Sequence, residues 1–242
     1  MISVEKNGVR YFHFESLSRC RGVRHGVLTR NEACALSAGE PVLPAERNRA
    51  LILRAMGGED PIFIRQVHGL CVVALESADN PLEAGGEGDA IITDVSSKML
   101  AIQVADCQPV LLYDPVRRAV GNIHSGWRGS VGNIIGQTVA AMGERFGSRP
   151  GDLIAGIGPS LGPCCAEFVN YRQEIPEKYH GFRDARDYFD FWAISRLQLR
   201  EAGVREDNIE TAELCTRCNP DLFYSWRGEK TAGRFVAVIG LN

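Results

Sequence analysis

Three side chains able to ligate a metal stand where apolar runs give out: His68 in RQVHG, Cys107 in VADCQP and His124 in NIHSGWRG. Strand ends project side chains into clefts more readily than strand middles, and the glycines at 69 and 126 leave backbone room for a ligand. The same residue types permit two chemistries, metal ligation or a thiol nucleophile with an imidazole base. Spacing does not choose between them. Separations of 39 and 17 residues form no local motif, and each residue alone also fits an ordinary hydrogen-bonded histidine or a small buried thiol.

The elements that must position these residues are short apolar runs punctuated by Gly, Asp and Pro: IFIRQV, CVVALE, AIITD, MLAIQVAD, PVLLYD, AVGNIH, DLIAGIG and FVAVIGL. Their length and composition predict strands. The three runs between 99 and 124 are joined by short turns, which predicts antiparallel pairing in succession. GSVGNIIGQTVAAMGERFG places Ile135, Val139, Met142 and Phe146 on one helical face and ends at Gly147, with Pro150 beyond. FDFWAISRLQLREAG predicts a second helix with Phe191, Ile194, Leu197 and Leu199 near one side and a stop at Gly203. Residues 30–47 and 76–89 read as loops, and the GGEGD cluster in the second reads as a turn, because it lacks the GxxxxGK spacing of a phosphate loop and precedes a strand. Strands followed by a helix and further strands give an α+β class, a single domain over 1–242 with mixed, largely antiparallel sheets flanked by helices.

Composition narrows the function. With 27 basic and 30 acidic residues intermixed and a net charge of −3, the chain carries no electrostatic footprint for nucleic acid or anionic lipid. No run approaches the roughly 18 apolar residues of a membrane span, and the N-terminus lacks the apolar core of a signal peptide. The expected location is the cytoplasm, where scattered cysteines stay reduced or bind metal. Cys164 and Cys165 are adjacent, an awkward geometry for a mutual disulfide, and Cys215 and Cys218 form a lone CxxC.

Six blocks carry a family resemblance: QVHG at 66–69, GDAIITD at 88–94, ADCQPVLLYDP at 105–115, HSGWRG at 124–129, IGPSLGPCCAEF at 157–168 and CTRCNPDLFYSWR at 215–227. Together they resemble the laccase-domain proteins, a family labelled both multicopper polyphenol oxidoreductase-like and purine nucleoside phosphorylase. The resemblance implies a layered α/β/β/α domain of the cytotoxic-necrotizing-factor-like cysteine hydrolase type. It implies a zinc ion held by His68, Cys107 and His124, three ligands that leave the fourth tetrahedral position open. It also implies phosphorolysis of purine nucleosides (adenosine, inosine and related thionucleosides), with adenosine deamination at the same site. A zinc ion lowers the pKa of bound water towards about 7, which suits deamination.

Phosphorolysis requires an anion site, and Arg30 in VLTRN is the first candidate on its match to the family's TTR or FTR element, with Arg128 second. Asp89, Asp94 and Asp106 are candidate acceptors for the outer nitrogens of the metal-bound imidazoles, although Asp106 also reads as a turn residue. Cys164, Cys165, Cys215 and Cys218 are read as packed or surface thiols, since the family pattern implies no metal there. Residues 30–47 depart from the family text after the arginine, and Ser125 and the AGR at 232–234 stand where alanine and TGR are common.

Two other functions compete. His68, Cys107 and His124 supply the His₂Cys set of a copper site, so a copper-dependent polyphenol oxidase is one alternative. A laccase, however, also needs a cluster of many imidazoles, and only His13, His25 and His180 remain. The other alternative is a cysteine hydrolase or amidase acting through Cys107 and His124 on peptides or cell-wall precursors.

Overall fold

The computed structural model describes residues 1–30, 46–58, 60–75, 86–230 and 233–242. Its strands are β1 (Ile2–Lys6), β2 (Val9–His13), β3 (Val23–Leu28), β4 (Pro61–Phe63), β5 (Val72–Leu75), β6 (Ala90–Thr93), β7 (Met99–Val104), β8 (Gln108–Asp114), β9 (Ala119–Ser125), β10 (Ile154–Ile157), β11 (Ile209–Thr211) and β12 (Phe235–Leu241). Its helices are α1 (Glu15–Ser18), α2 (Glu46–Met56), α3 (Trp127–Val131), α4 (Ile134–Phe146), α5 (Tyr171–Glu174), α6 (Phe191–Glu201) and α7 (Trp226–Glu229).

The strands form two six-stranded sheets, ordered β1-β2-β3-β12-β7-β4 and β11-β10-β8-β9-β6-β5. Pairing is mostly antiparallel, and the parallel pairs β4–β7, β5–β6 and β10–β11 each bring in an edge strand. β7, β8, β9 and β12 are buried along their whole length, as strands covered on both faces must be. Alternation then assigns the faces. Leu100, Ile102 and Val104 of β7 meet Ile91, Leu111 and Val120 of the second sheet in an inter-sheet core. The opposite face of the first sheet, with Met99, Ala101, Val236 and Val238, packs on Leu51, Ile52, Ala55 and Met56 of α2. On the opposite face of the second sheet, Ile92, Val110, Leu112 and Ile123 pack on Ile134, Ile135, Val139 and Met142 of α4 and Leu199 of α6. The resulting layers run helix, sheet, sheet, helix.

One polar side chain crosses the inter-sheet layer. Asn122 of β9 is fully buried and donates from Nδ2 to Leu100 O of β7 at 3.1 Å and to Ala237 O of β12 at 2.9 Å.

Both expected helices form. α4 starts behind Asn133, whose side chain accepts from Gly136 N–H at 3.0 Å, and stops at Gly147 with φ +69°, the left-handed terminus that glycine permits. Asp190 caps α6 through Ala193 N–H. The expectation for 99–124 needs correction, because only β8 and β9 pair with each other. β7 belongs to the other sheet, between β12 and β4. The turn between β7 and β8 carries the chain from one layer to the other through Asp106, held at φ +76°. Within the loop expected at 30–47, residues 31–45 lie outside the described residues, as do 76–85 of the second loop.

Candidate metal centre

The chain crosses from the first sheet to the second at two places, between β4 and β5 and between β7 and β8. His68 lies on the first crossing and Cys107 on the second, while His124 projects from β9 beside them. The first crossing is held by two devices. Past β4, the Gln66 amide imitates a peptide group: Nε2 donates to Gln103 O at 2.8 Å and Oε1 accepts from Gln103 N–H at 2.9 Å, which continues the attachment to the β7 edge. The chain then turns at His68, with φ +58°, and its amides point at one carboxylate.

That carboxylate is Asp89, which has no solvent exposure. Oδ1 accepts from His68 N–H at 2.9 Å and from His124 Nδ1 at 2.7 Å; Oδ2 accepts from Gly69 N–H at 2.6 Å and Val67 N–H at 3.3 Å. A buried carboxylate with four donors is held as an anion. Burial alone would raise the Asp89 pKa, but the hydrogen bonds from His124, Gly69 and His68 outweigh it and hold the group below its ordinary range. Donation of Nδ1–H to Asp89 leaves Nε2 of His124 to face Cys107, the arrangement typical of metal-bound histidine.

The three donor atoms lie within 4.8 Å of one another, and Cys107 Sγ is 3.8 Å from His68 Nε2. Tetrahedral zinc with bonds of about 2.3 Å to sulfur and 2.0–2.1 Å to nitrogen sets that edge at about 3.6 Å, so the donor set fits one ion. The imidazole planes of His68 and His124 stand at 81° with centroids 4.8 Å apart. Gly126 closes the base: a Cβ there would sit 3.1 Å from His68 Cδ2 and 3.2 Å from Cys107 Sγ. His124 is buried, Cys107 half-buried and His68 exposed, so the centre opens to solvent on the His68 side.

Without a metal, the same atoms polarise each other. Burial opposes ionisation of Cys107, yet the His124 charge and hydrogen bonds from both histidines bring its pKa down to about 6. Burial likewise opposes protonation of His124, but the Cys107 thiolate and Asp89 raise its pKa to about 9.

The remaining candidates separate. Of the three aspartates, Asp89 alone contacts the ligands; Asp94 is exposed. Asp106 fills the turn role, accepting from Thr216 Oγ1 at 2.6 Å and Arg227 N–H at 2.5 Å. Arg30 pairs with Glu229 at 2.6 Å, donates to Pro220 O and lies 4.3 Å from the Tyr224 ring centroid. Arg128 is exposed and stacks on Trp127. Arg234, in the AGR stretch that stands where TGR is common in the family, lies within electrostatic reach of Cys107 and Asp106. Its only sequence signal is a cationic residue leading into a buried strand. The four cysteines read as packed or surface thiols are two buried and two exposed, and their sulfurs lie together in one group.

Fold and site define a class of protein: two stacked mixed sheets between helices, with a His₂Cys donor set where the chain passes between the sheets. Residues 15–242 match the family described as multi-copper polyphenol oxidoreductase laccase, and the chain belongs to that family. A relative from Xylella fastidiosa (strain 9a5c), named purine nucleoside phosphorylase, is 32% identical over 220 residues, 86% of this chain and 83% of its own length. The purine nucleoside phosphorylase YlmD of Geobacillus stearothermophilus is 36% identical over 196 residues, 74% of this chain and 71% of its own. The solved structure of the Bacillus licheniformis hypothetical protein YfiH superposes with a TM-score of 0.80 at 26% identity, covering 91% of this chain and 93% of that one. The family implies a metal, and His68, Cys107 and His124 form a group able to hold it.

Proposed function

We propose that this chain is a zinc-dependent purine nucleoside phosphorylase that also deaminates adenosine, with His68, Cys107 and His124 holding the metal. The observation that carries the reading is the convergence of these donors around Asp89, which orients one imidazole directly and the loop of the other through its amides. The names of the relatives supply the substrate class, a purine nucleoside and phosphate. Zinc is favoured over copper by the same donor set, because two imidazoles and one thiolate with an open fourth position suit a catalytic zinc. An oxygen-reducing copper cluster would need further imidazoles, whereas His13 bonds Ser18, His25 accepts from Phe14 N–H and His180 bonds Ile175 O.

When bound, zinc supplies Lewis acidity at neutral pH. The chain's own residues do the rest. Asp89 fixes the His124 ring and keeps its Nδ1 proton in place. In phosphorolysis the bond from C1′ to the base nitrogen breaks, a phosphate oxygen bonds to C1′, and the base leaves with a proton. A cation must hold the phosphate during this exchange. Arg30 is the candidate from sequence, but an anion there competes with Glu229. Arg234 is half-buried, within electrostatic reach of Cys107 and Asp106, and forms no ion pair within 4 Å among the described residues, which makes it a second candidate. In deamination, water adds at C6 of adenosine and ammonia leaves.

The test is incubation of purified protein with adenosine, with and without phosphate, followed by separation of the products. Adenine that appears only with phosphate, together with inosine formed without it, is the expected result; no turnover of adenosine or inosine overturns the reading. A second reading, a cysteine hydrolase of the cytotoxic-necrotizing-factor-like type, draws on the thiolate–imidazolium polarisation of Cys107 and His124. A chelator abolishes activity under the first reading and spares it under the second.

A further inference from the structure

A second set of metal-competent side chains lies apart from the His₂Cys group. Cys164 and Cys165 sit in the loop after β10, and Cys215 and Cys218 lie between β11 and α7. Their four sulfurs all fall within 4.8 Å of one another, and Cys218 Sγ is 3.6 Å from both Cys164 Sγ and Cys165 Sγ. A disulfide bond is about 2.05 Å long. Four thiolates around one zinc at about 2.3 Å place neighbouring sulfurs about 3.8 Å apart. The observed separations therefore match the edges of a shared coordination shell. An iron–sulfur cluster would spread its cysteines more widely around several irons.

The surrounding backbone favours a thiolate at Cys215. Gly162 N–H donates to Cys215 Sγ at 3.3 Å, and such a donor stabilises a thiolate over a thiol. The two cysteine-bearing loops are already joined, with Ser160 N–H donating to Leu214 O and Thr216 N–H to Ser160 O. Arg227 donates to the carbonyls of Cys165 and Glu167, which places a cation beside what would be a dianionic centre.

We propose that Cys164, Cys165, Cys215 and Cys218 bind one zinc ion as a structural tetrathiolate centre, with loss of the four thiol protons to solvent. Four protein ligands leave no open position, so this centre braces the fold and does not react with substrate. What it braces is the turn beside Cys107. Thr216, inside the CxxC, donates to the Asp106 carboxylate, and Leu161 N–H, three residues before Cys164, donates to Asp106 O at 2.9 Å. The proposal stands independently of the reaction assigned to the His₂Cys site.

The experiment is metal analysis of the full chain, purified from zinc-supplemented culture and dialysed against metal-free buffer. Two zinc ions per chain are expected, one for each donor group. The Cys164→Ser/Cys218→Ser double variant, altered at two exposed positions, should retain one, and Cys107→Ala should lose the other. One zinc in the wild type that disappears in Cys107→Ala overturns the proposal, as does a disulfide-linked peptide joining any two of the four cysteines. Should the double variant fail to fold, alkylation of the wild type decides. The four thiols should resist labelling until a strong chelator removes the zinc, and labelling that is equally fast before and after chelation overturns the assignment.

Discussion

Replacing Asp89 with Asn tests the central geometric argument with the smallest change of shape. Each carboxylate oxygen takes two donors, His68 N–H and His124 Nδ1 on Oδ1, and Gly69 N–H and Val67 N–H on Oδ2. An asparagine keeps one acceptor oxygen and turns an NH₂ group towards two donors, whichever way it is flipped. Half of the contacts are lost in either case. Removing an outer carboxylate ordinarily lowers metal affinity by about 10–100-fold. Because Asp89 positions two ligands, the expected loss is near the upper end, about 2.8 kcal/mol by the usual conversion. Two donors left unpaired, buried or partly buried, at up to about 1–3 kcal/mol each should also lower the melting temperature of the metal-free protein by several degrees, at most on the order of 10 °C. Zinc affinity is read by competition with a chromogenic chelator and stability by thermal melts across pH. Since the folded Asp89 pKa lies below its usual value of 3.8, its contribution is intact above that value and lost as pH falls through the depressed one. Asp89→Asn should lack this acid limb, while Asp94→Asn, at an exposed position, should behave as wild type. Unchanged zinc affinity in Asp89→Asn, within about twofold, would refute the assignment of Asp89 as the group that orients the ligands.

Other outcomes can be stated as directly. Cys107→Ala and His68→Ala should each abolish binding of the catalytic zinc and turnover of adenosine, checked by metal analysis and product separation; full turnover in either variant removes the metal mechanism. Gly126→Ala should bind zinc more weakly with the fold retained, since φ −70° admits alanine but the Cβ crowds His68 and Cys107; undiminished affinity shows that the contact is relieved elsewhere. Arg234→Gln should raise KM for phosphate more than Arg30→Gln, and the reverse order returns the anion site to the Glu229-paired arginine. His25 is buried and held neutral, with burial first and His13 second bringing its pKa from 6.5 to about 4. Stability should therefore fall as pH drops from 6.5 to about 4, and a His25→Gln variant should flatten that slope in denaturant titrations.

The sequence made the strands and the two long helices legible because apolar runs and helical periodicity report burial directly. Sheet membership was not legible. β7 and β8 are largely apolar, uniformly buried and only a few residues apart, and nothing in such runs states that the turn at Asp106 sends them into different layers. The candidate metal ligands emerged from short blocks read together, whereas Asp89 was one of three candidate aspartates, of which only Asp106 had a competing turn role, until its four donors singled it out. Arg30 and Glu229 are 199 residues apart, so their ion pair left no trace in local text. The four cysteines could not be grouped for the same reason, since 53 residues separate Cys165 from its neighbour Cys218. A short-range pattern names residue types, and only the topology decides which distant ones meet.

Asn122 deserves a mechanical reading. Two apolar sheets stacked face to face are held mainly by a non-directional attraction, to which a hydrogen bond adds a fixed direction. By gripping carbonyls on β7 and β12, this amide pins the second layer to the first at a fixed offset, two residues from His124 on the same strand. Cys107, one residue ahead of β8, and His124 on the paired strand β9 both belong to the second layer, while the crossing that carries His68 is tied to β7 of the first through Gln66, so any sliding would strain His68 away from the other two. The alignment of the metal donors is thus set by a lock far enough from the opening that no substrate need touch it.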